Sequence, residues 1–280
     1  MKPPAPPPSS LAAPLRRTAG NFAKLAGYVY HAAFPRRRWT VPAREPAACA
    51  PDAEATPIPR IVWQTNFTDK RTLPLWLNHR HNRRLSRPFE YRHLGDAEMD
   101  AYMREKASPR VRDAFFRLQD GAARADLWRV QALYSEGGAY LDVDATLVRP
   151  LERILQGRDA LYLKNHEEYT NFFMATVPGN PVYAEFLDEI AGNIERFVPE
   201  PGKVRTVYYV TGPGALEKVL ERHRIEYVPR NLAAVQGAYS NECFQYADRP
   251  GSKWKYKTVF IDRTEYRKGA PLAKKDDSKE

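Results

Sequence analysis

The stretch from Asp120 to Leu147 constrains the fold of this 280-residue chain more than any other. A helical wheel centred on Asp126 groups mostly apolar residues with it on one face: Ala122, Ala123, Arg129, Val130, Leu133 and Tyr134. Two charged side chains therefore lie on an otherwise apolar stripe. Glu136-Gly137-Gly138 ends the helix, because glycine readily adopts the left-handed conformation found at helix termini. The residues that follow, 139–144, predict a strand.

Two carboxylates stand at the end of this predicted strand. Asp142 and Asp144 are two residues apart, so a strand would point both side chains to one side, with Cα atoms about 6.5–7 Å apart. Oxygen ligands of this kind suit Mg²⁺ or Mn²⁺, which bind proteins through one or two carboxylates together with substrate phosphates. An Asp-x-Asp pair alone is common. It is informative here because a helix, a Gly-Gly pair that ends the helix and a strand come directly before it.

Composition divides the chain into three parts. Residues 1–56 hold eight Lys or Arg against three acidic residues, which places +5 of the net charge of +10 there, and twelve of the 24 prolines precede Arg60. Such a leader cannot build a core of its own. A tail over 267–280, rich in Lys and Asp, also predicts disorder. Residues 57–266 remain as one domain.

The leader has two open interpretations. Residues 15–34 predict a helix, followed by three arginines at 36–38. Its apolar residues lie roughly on one side: Leu15, Phe22, Leu25, Ala26, Val29 and Ala33. This is either a basic amphipathic segment lying on an anionic membrane or a solvated, poorly ordered leader. No apolar run reaches the roughly 20 residues of a spanning helix, and the proline-rich start is unlike a secretory signal. With only two cysteines, we expect a cytoplasmic protein, in peripheral contact with membrane on the first interpretation.

Elements along residues 57–266 predict an α/β fold. Helices are expected at 73–85, from Asp96 to about 107, from Ser108-Pro109, from Asn180-Pro181 to about 197, and at 214–224. Extended segments are expected at 57–64, 89–93, 160–163, 172–176 and 206–210. Strands alternating with helices at these lengths favour a mostly parallel sheet flanked by helices.

The segment ARADLWRVQALYSEGGAYLDVDATL carries a family resemblance. It resembles the DXD-containing sugar-binding region of family 32 glycosyltransferases, which include mannosyltransferases, and more distantly the catalytic domain of glucosylating bacterial toxins. The resemblance implies a GT-A type of fold with a Rossmann-like sheet. It also implies metal-dependent, retaining transfer of mannose, glucose or galactose from a UDP- or GDP-sugar to a glycan or glycolipid acceptor, as in polysaccharide biosynthesis.

The resemblance also implies roles for the carboxylates and their neighbours. Asp144 is expected to bind Mn²⁺ or Mg²⁺ directly, and Asp142 to contact the ribose, or the metal through water. Asp126 and Arg129 are expected at the donor sugar as the catalytic pair, although an intrahelical salt bridge is the alternative. Asn171 is expected to bind the donor.

Three further positions are expected at the edges of the site. Trp63 lies near the carboxyl end of its predicted strand and either stacks on the nucleotide base or belongs to the core. The family supplies a Ser-Trp pair near its C-terminal end, whereas this chain has Ser252 separated from Trp254 by one residue. Ser252 is therefore an expected metal ligand, with Glu242 as a possible substitute.

Two other functions compete with glycosyl transfer. Paired aspartates at a strand end also suit a metal-dependent phosphohydrolase. The net charge of +10 would suit a binder of nucleic acid or another anionic polymer. Because half of that charge lies in the leader and no nucleic-acid motif is present, we expect no nucleic-acid partner.

Overall fold

The computed structural model describes residues 12–48, 56–197 and 207–249. Their helices are α1 Ala12–Ala33, α2 Leu73–Leu85, α3 Asp96–Lys106, α4 Pro109–Arg117, α5 Gly121–Glu136, α6 Leu151–Leu155, α7 Pro181–Glu195, α8 Val207–Val210, α9 Pro213–Leu220 and α10 Glu242–Gln245. Their strands are β1 Trp39–Thr40, β2 Arg44–Glu45, β3 Ile61–Thr65, β4 Lys70–Arg71, β5 Glu90–Leu94, β6 Gly138–Leu141, β7 Ala145–Leu147, β8 Ala160–Asn165, β9 Glu168–Thr176, β10 Val228–Pro229 and β11 Ala234–Gln236.

A seven-stranded sheet in the order β10-β8-β9-β6-β3-β5-β2 forms the centre of the molecule. Strand β3 pairs in parallel with both β5 and β6, and β10 pairs in parallel with β8. Strand β9 runs antiparallel to both of its neighbours, and β2 runs antiparallel to β5. Five of these seven strands therefore share one direction, which confirms the predicted mostly parallel α/β sheet flanked by helices.

Both faces of the sheet are buried. Successive residues of a strand point to opposite sides, so neighbouring residues join different core clusters. Trp63 and Tyr140 join the larger core cluster, which includes apolar residues of α3, α4, α5, α7 and α9. Their neighbours Val62, Ala139 and Leu141 join a second cluster that includes α6 and the segment around Leu232. Continuous apolar runs in the central strands follow from this burial.

Local signals in the sequence account for most helix starts. The side chains of Asp120, Ser108 and Asn180 each accept a hydrogen bond from a backbone N–H in the first turn of the following helix. The predicted helix at 73–85 has the bounds of α2. Two predictions are wrong: residues Val207–Val210 are helical rather than extended, and the strand that ends in the aspartates stops at Leu141.

The predicted boundary at residue 56 does not separate a leader from the domain. The expected helix is present as α1, and it packs against α2. Strand β1 pairs with β4, and β2 pairs with the edge of the central sheet at β5. Long-range pairing thus incorporates residues 12–48 into the fold, whereas the tail at 267–280 lies outside the described residues. Of the helices in the described segments, none is both long and apolar enough to cross a bilayer.

Two glycines allow the close approach between the end of α5 and the central strands. Gly137 and Gly138 have φ angles of 67° and 97°, in the region that disfavours side chains. A Cβ on Gly138 would lie 2.7 Å from the backbone oxygen of Ile61 and 3.1 Å from its Cβ. Backbone conformation and space therefore both require glycine at this junction.

We predict that Gly138→Ala lowers the free energy of unfolding by about 1–3 kcal/mol or more, because it adds both backbone strain and a steric clash. Urea unfolding followed by circular dichroism measures the change. Gly121→Ala is the control, since a Cβ at this first residue of α5 meets no atom within 4 Å. Equal stability of Gly138→Ala and the wild type would contradict the prediction.

Candidate active site

A cleft of about 410 Å³ opens at the carboxyl end of the parallel strands. Thr65 ends β3, Asp96 follows β5 and Asp142 follows β6, and all three residues line it. The beginning of the antiparallel strand β9 reaches the same end of the sheet and contributes Asn171. Open α/β sheets bind ligands at this edge, so the topology by itself identifies the candidate site.

Asp142 and Asp144 lie in a tight turn between β6 and β7, not on a strand. The backbone N–H of Ala145 donates to the carbonyl of Asp142 at 3.0 Å and closes the turn. Both carboxylates line the cleft. They share the site because of this turn, and the expected strand alternation is not the reason.

Two buried asparagines of α2 hold the turn in place. The Nδ2 atom of Asn78 donates to the carbonyls of Val143 and Ala145 at 2.9 and 2.8 Å, and its Oδ1 accepts from Thr146 Oγ1 at 2.7 Å. One helical turn later, Asn82 donates to the Ala145 carbonyl and accepts from the Leu147 N–H. These bonds satisfy backbone groups that β7 and the turn would otherwise leave buried and unpaired.

Asp126 and Arg129 are buried in the floor of the cleft. Asp126 Oδ1 accepts from Asn171 Nδ2 at 2.9 Å and lies 3.1 Å from Arg129 Nη2. Its Oδ2 accepts from Thr211 Oγ1 at 3.0 Å. Arg129 Nη1 donates to the carbonyl of Asn171 at 2.8 Å and lies 3.4 Å from Asp142 Oδ1. The pair thus joins α5, β9, the turn before α9 and the Asp-x-Asp turn.

The charges in the cleft influence one another strongly. Burial raises the pKa of Asp126 to about 6, although Arg129 and Thr211 oppose the increase. Burial and then repulsion from Asp142 raise the pKa of Asp144 to about 7. Burial alone would lower the pKa of Arg129, but the surrounding tyrosine and carboxylates raise it overall. Around the Asp-x-Asp turn the cleft therefore has one strongly held cation, Arg129, beside three carboxylates, which leaves this end electronegative. Asp96 and Arg249 also line the cleft.

The Asp-x-Asp turn is suited to a divalent cation that arrives with a ligand. In the described part of the chain, no three His, Cys, Asp or Glu side chains form a complete site. Asp142 Oδ1 accepts from Tyr140 at 2.7 Å, and Asp144 Oδ1 has only a long contact of 3.4 Å to Gln236. Two carboxylates of this kind fit Mg²⁺ or Mn²⁺ if water and phosphate oxygens complete the coordination.

Trp63 does not contribute to the cleft. It is 2% exposed, its Nε1 donates to the Gly137 carbonyl at 2.9 Å, and its ring packs edge-on against Tyr102 and Trp128. The expectation that it stacks on a base is therefore wrong. Its alternative, a core tryptophan, is observed, because the side chain points to the helix-covered face of β3.

Of the two remaining expected ligands, only Glu242 belongs to the described residues. Glu242 is exposed at the start of α10 and is not among the cleft-lining residues, whereas Gln245 and Tyr246 are. The expectation that Glu242 is a substitute ligand is therefore not supported by the placement of its helix. Ser252 lies outside the described residues.

Sequence reasoning missed several residues that form the walls of the cleft, among them Asn66, Phe67, Tyr208, Gln236, Tyr246 and Arg249. The guanidinium of Arg249 lies 4.7 Å from the centre of the Phe67 ring. Position at the carboxyl end of β3 was the available signal for Asn66 and Phe67. No local pattern marks the others, which come from α8, β11 and the segment after α10.

Comparison with known families places this geometry in context. Residues 61–161 match the family model described as a glycosyltransferase sugar-binding region containing a DXD motif. That segment runs from β3 into β8 and includes Asp126, Arg129, Asp142 and Asp144. No curated protein matches the chain significantly.

Solved structures give distant likenesses. The PaToxG glycosyltransferase is 12% identical with a TM-score of 0.47, over 76% of this chain and 80% of that chain. The glycosyltransferase domain of the YGT toxin gives TM-scores of 0.37 both without ligand and with UDP bound, at 14% and 13% identity. Each of these two covers 54% of both chains.

We predict that Asn78→Ala weakens the Asp-x-Asp turn, since the Val143 carbonyl and the Thr146 hydroxyl lose their partner and the Ala145 carbonyl keeps only the bond from Asn82. The free energy of unfolding should fall by about 1–3 kcal/mol, and calorimetry should show weaker Mn²⁺-dependent binding of a nucleoside diphosphate. His81→Ala is the matched control, because His81 binds the more distant Leu147 carbonyl from the same helix. Equal loss of Mn²⁺-dependent binding in both variants would exclude a specific role for Asn78.

Proposed function

We propose that this chain, a glycosyltransferase with a DXD-containing sugar-binding region over residues 61–161, is metal-dependent and transfers a hexose from a nucleoside-diphosphate sugar. Mannose, glucose and galactose remain the candidate sugars, and UDP and GDP the candidate carriers. The family resemblance implies retention of anomeric configuration. We propose a glycan or glycolipid as the acceptor, as in polysaccharide biosynthesis.

One observation carries the proposal. The Asp-x-Asp turn and the Asp126–Arg129 pair come from separate parts of the family region, yet they meet in one cleft at the ligand-binding edge of the sheet. A structural salt bridge on an exposed helix face would need no such placement. The coincidence is expected if one group holds the diphosphate and the other positions the sugar attached to it.

Asp142 and Asp144 are the residues that would hold Mn²⁺ or Mg²⁺, and we assign the direct contact to Asp144. When bound there, the cation would supply Lewis-acid stabilisation of the departing diphosphate. The hydrogen bond from Tyr140 and the nearby charge of Arg129 fix the carboxylate of Asp142. Asp144 retains more freedom to bind a ligand, because Gln236 makes only a long contact with it.

Asp126 is proposed to position the donor sugar. Its oxygens accept from Asn171 and Thr211 and face Arg129, which leaves part of the carboxylate's capacity of about four acceptor positions for hydroxyl groups in the cleft. Arg129 holds this carboxylate through its charge and holds β9 through the Asn171 carbonyl. Asn171 would then act at the donor by fixing the orientation of Asp126 as well as by lining the cleft.

We predict that turnover of a nucleotide sugar requires Mn²⁺ or Mg²⁺. Asp144→Asn should lower the turnover rate roughly 100-fold or more, because loss of the carboxylate charge weakens binding of the cation. The measurement is the rate at which the protein hydrolyses each of a panel of UDP- and GDP-sugars. This slow reaction needs no glycan acceptor. Higher Mn²⁺ should restore part of the activity of the variant. Full activity after exhaustive chelation would refute metal dependence, and release of phosphate from simple esters would favour a phosphohydrolase.

We predict that Asp126→Asn separates sugar positioning from metal binding. The amide places an NH₂ group among donors, so stability should fall by about 1–3 kcal/mol, and transfer should fall while Mn²⁺-dependent binding of the nucleoside diphosphate persists. Calorimetry and turnover measured on the same preparations test this. Asp100→Asn is the control, because its ion pair with Arg124 is partly exposed and lies outside the cleft. A folded Asp126→Asn protein with full activity would show that the pair is structural only.

A further inference from the structure

Helix α1 presents its large apolar side chains to solvent and its small ones to the protein. Ala13, Gly20, Ala23 and Gly27 are the buried residues of the helix. On the opposite side, four large apolar residues are more than 60% exposed: Leu15 65%, Phe22 69%, Leu25 62% and Val29 68%. At 100° per residue, these four fall within one stripe that faces away from the small residues.

The helix cannot rotate to bury this stripe. A Cβ on Gly20 would lie 2.0 Å from the Ala238 carbonyl oxygen, and one on Gly27 would lie 2.4 Å from the Pro74 ring. A Leu or Phe in either place would meet a still larger clash. Further contacts lock the same orientation: Asn241 Nδ2 donates to Tyr28 at 2.7 Å, and His31 Nε2 accepts from the Leu73 N–H at 3.0 Å. The exposed apolar stripe is thus a fixed surface of the folded protein.

The charge around the stripe has one sign. Residues 12–38 contain six Lys or Arg and no Asp or Glu. Arg36 and Arg37 are exposed directly after the helix, and Arg17 is exposed within it. The other three are held against the protein: Arg16 and Lys24 are half-buried, and Arg38 forms a bidentate pair with Asp248. Burial and then repulsion from Arg17 lower the pKa of Arg230, which places another cation beside the helix.

The positive charge around the stripe indicates which kind of partner binds the exposed face of α1. A second copy of the chain would bring together two sets of the exposed cations Arg17, Arg36 and Arg37. Residues 251–280 carry nine Lys or Arg against five Asp or Glu, so they are no better matched. A bilayer containing anionic lipid satisfies both features, because the apolar side chains enter the headgroup boundary while the cations meet phosphates.

We infer that α1 docks the folded enzyme on an anionic membrane surface, with Leu15, Phe22, Leu25 and Val29 entering the boundary between headgroups and acyl chains. An aromatic residue directly after the helix suits the same region, since Phe34 is 56% exposed. Docking is a property of this surface and does not depend on the proposed reaction.

The docked helix lies next to the cleft. Gln236 and Tyr246 line the cleft, and residues between them contact α1: Gly237 accepts from Lys24, Ala238 faces Gly20, and Phe244 packs 4.7 Å from Tyr28. Gly237 also donates its N–H to the Asp144 carbonyl at 3.0 Å. A single segment therefore separates the membrane-facing helix from the proposed diphosphate site. If the proposed transfer is correct, this arrangement favours an acceptor attached to lipid.

The test uses the full chain and vesicles of phosphatidylcholine, alone or mixed with an equal amount of phosphatidylglycerol. We expect co-sedimentation with the mixed vesicles that weakens as salt rises, and little with phosphatidylcholine alone. Phe22→Ser combined with Val29→Ser should weaken binding roughly tenfold or more, since two apolar side chains no longer leave water. Arg36→Gln combined with Arg37→Gln should also weaken it roughly tenfold and reduce its dependence on anionic lipid.

The control is Tyr227→Ser, which removes an aromatic side chain of similar exposure, 51%, away from α1. Its binding should equal that of the wild type, and all variants should keep the wild-type unfolding midpoint because the replaced side chains are exposed. Unchanged vesicle binding by the Phe22→Ser, Val29→Ser protein would overturn the inference. So would a dimer in light scattering that this variant abolishes, because a second copy would then be the occupant. Vesicle binding is measured without substrate, so failure here and failure of the proposed transfer are distinguishable.

Discussion

The buried ion pair between Asp126 and Arg129 is the interaction on which the candidate site depends. Both side chains are removed from water, which is costly unless hydrogen bonds within the protein compensate for the lost hydration. Asn171 and Thr211 provide those partners from two other parts of the chain. The pair therefore requires α5, β9 and the turn before α9 to be in register at once. An arrangement this demanding is weak evidence for stability, but it specifies one geometry for the cleft floor.

The Asp-x-Asp turn is also held by buried hydrogen bonds from another part of the chain. Two like charges in a tight turn repel each other, so the turn needs support from groups that carry no charge. Asn78 and Asn82 supply it by binding the backbone rather than the carboxylates. The carboxylates themselves remain available to a ligand. Rigidity of the backbone and availability of the side chains are thus provided by different residues.

Much of this could be predicted from the sequence, and the failures have a common physical cause. Cap residues and periodicity identified most helices, and the family resemblance identified Asp126, Asp142 and Asp144, which the structure brings to one cleft. Trp63 could not be assigned, because its strand position was clear but the helices covering it were not. The asparagines of α2 were missed because their partners are backbone carbonyls of a segment about 65 residues away. Periodicity found the apolar face of α1 but could not show that glycines on the other face would make the closer contact.

Strand β2 has a practical consequence for handling this protein. It contributes only two residues, yet it covers the edge of β5 by antiparallel pairing, and Arg44 adds an ion pair to Glu90. An open strand edge is a template for pairing with other chains. A shortened protein that began at residue 57 would present the backbone of Glu90–Leu94 to its neighbours and would lose the cover that α1 gives to α2. Such a fragment is expected to aggregate through its sheet edge, so solubility screens should begin from proteins that keep residues 12–48.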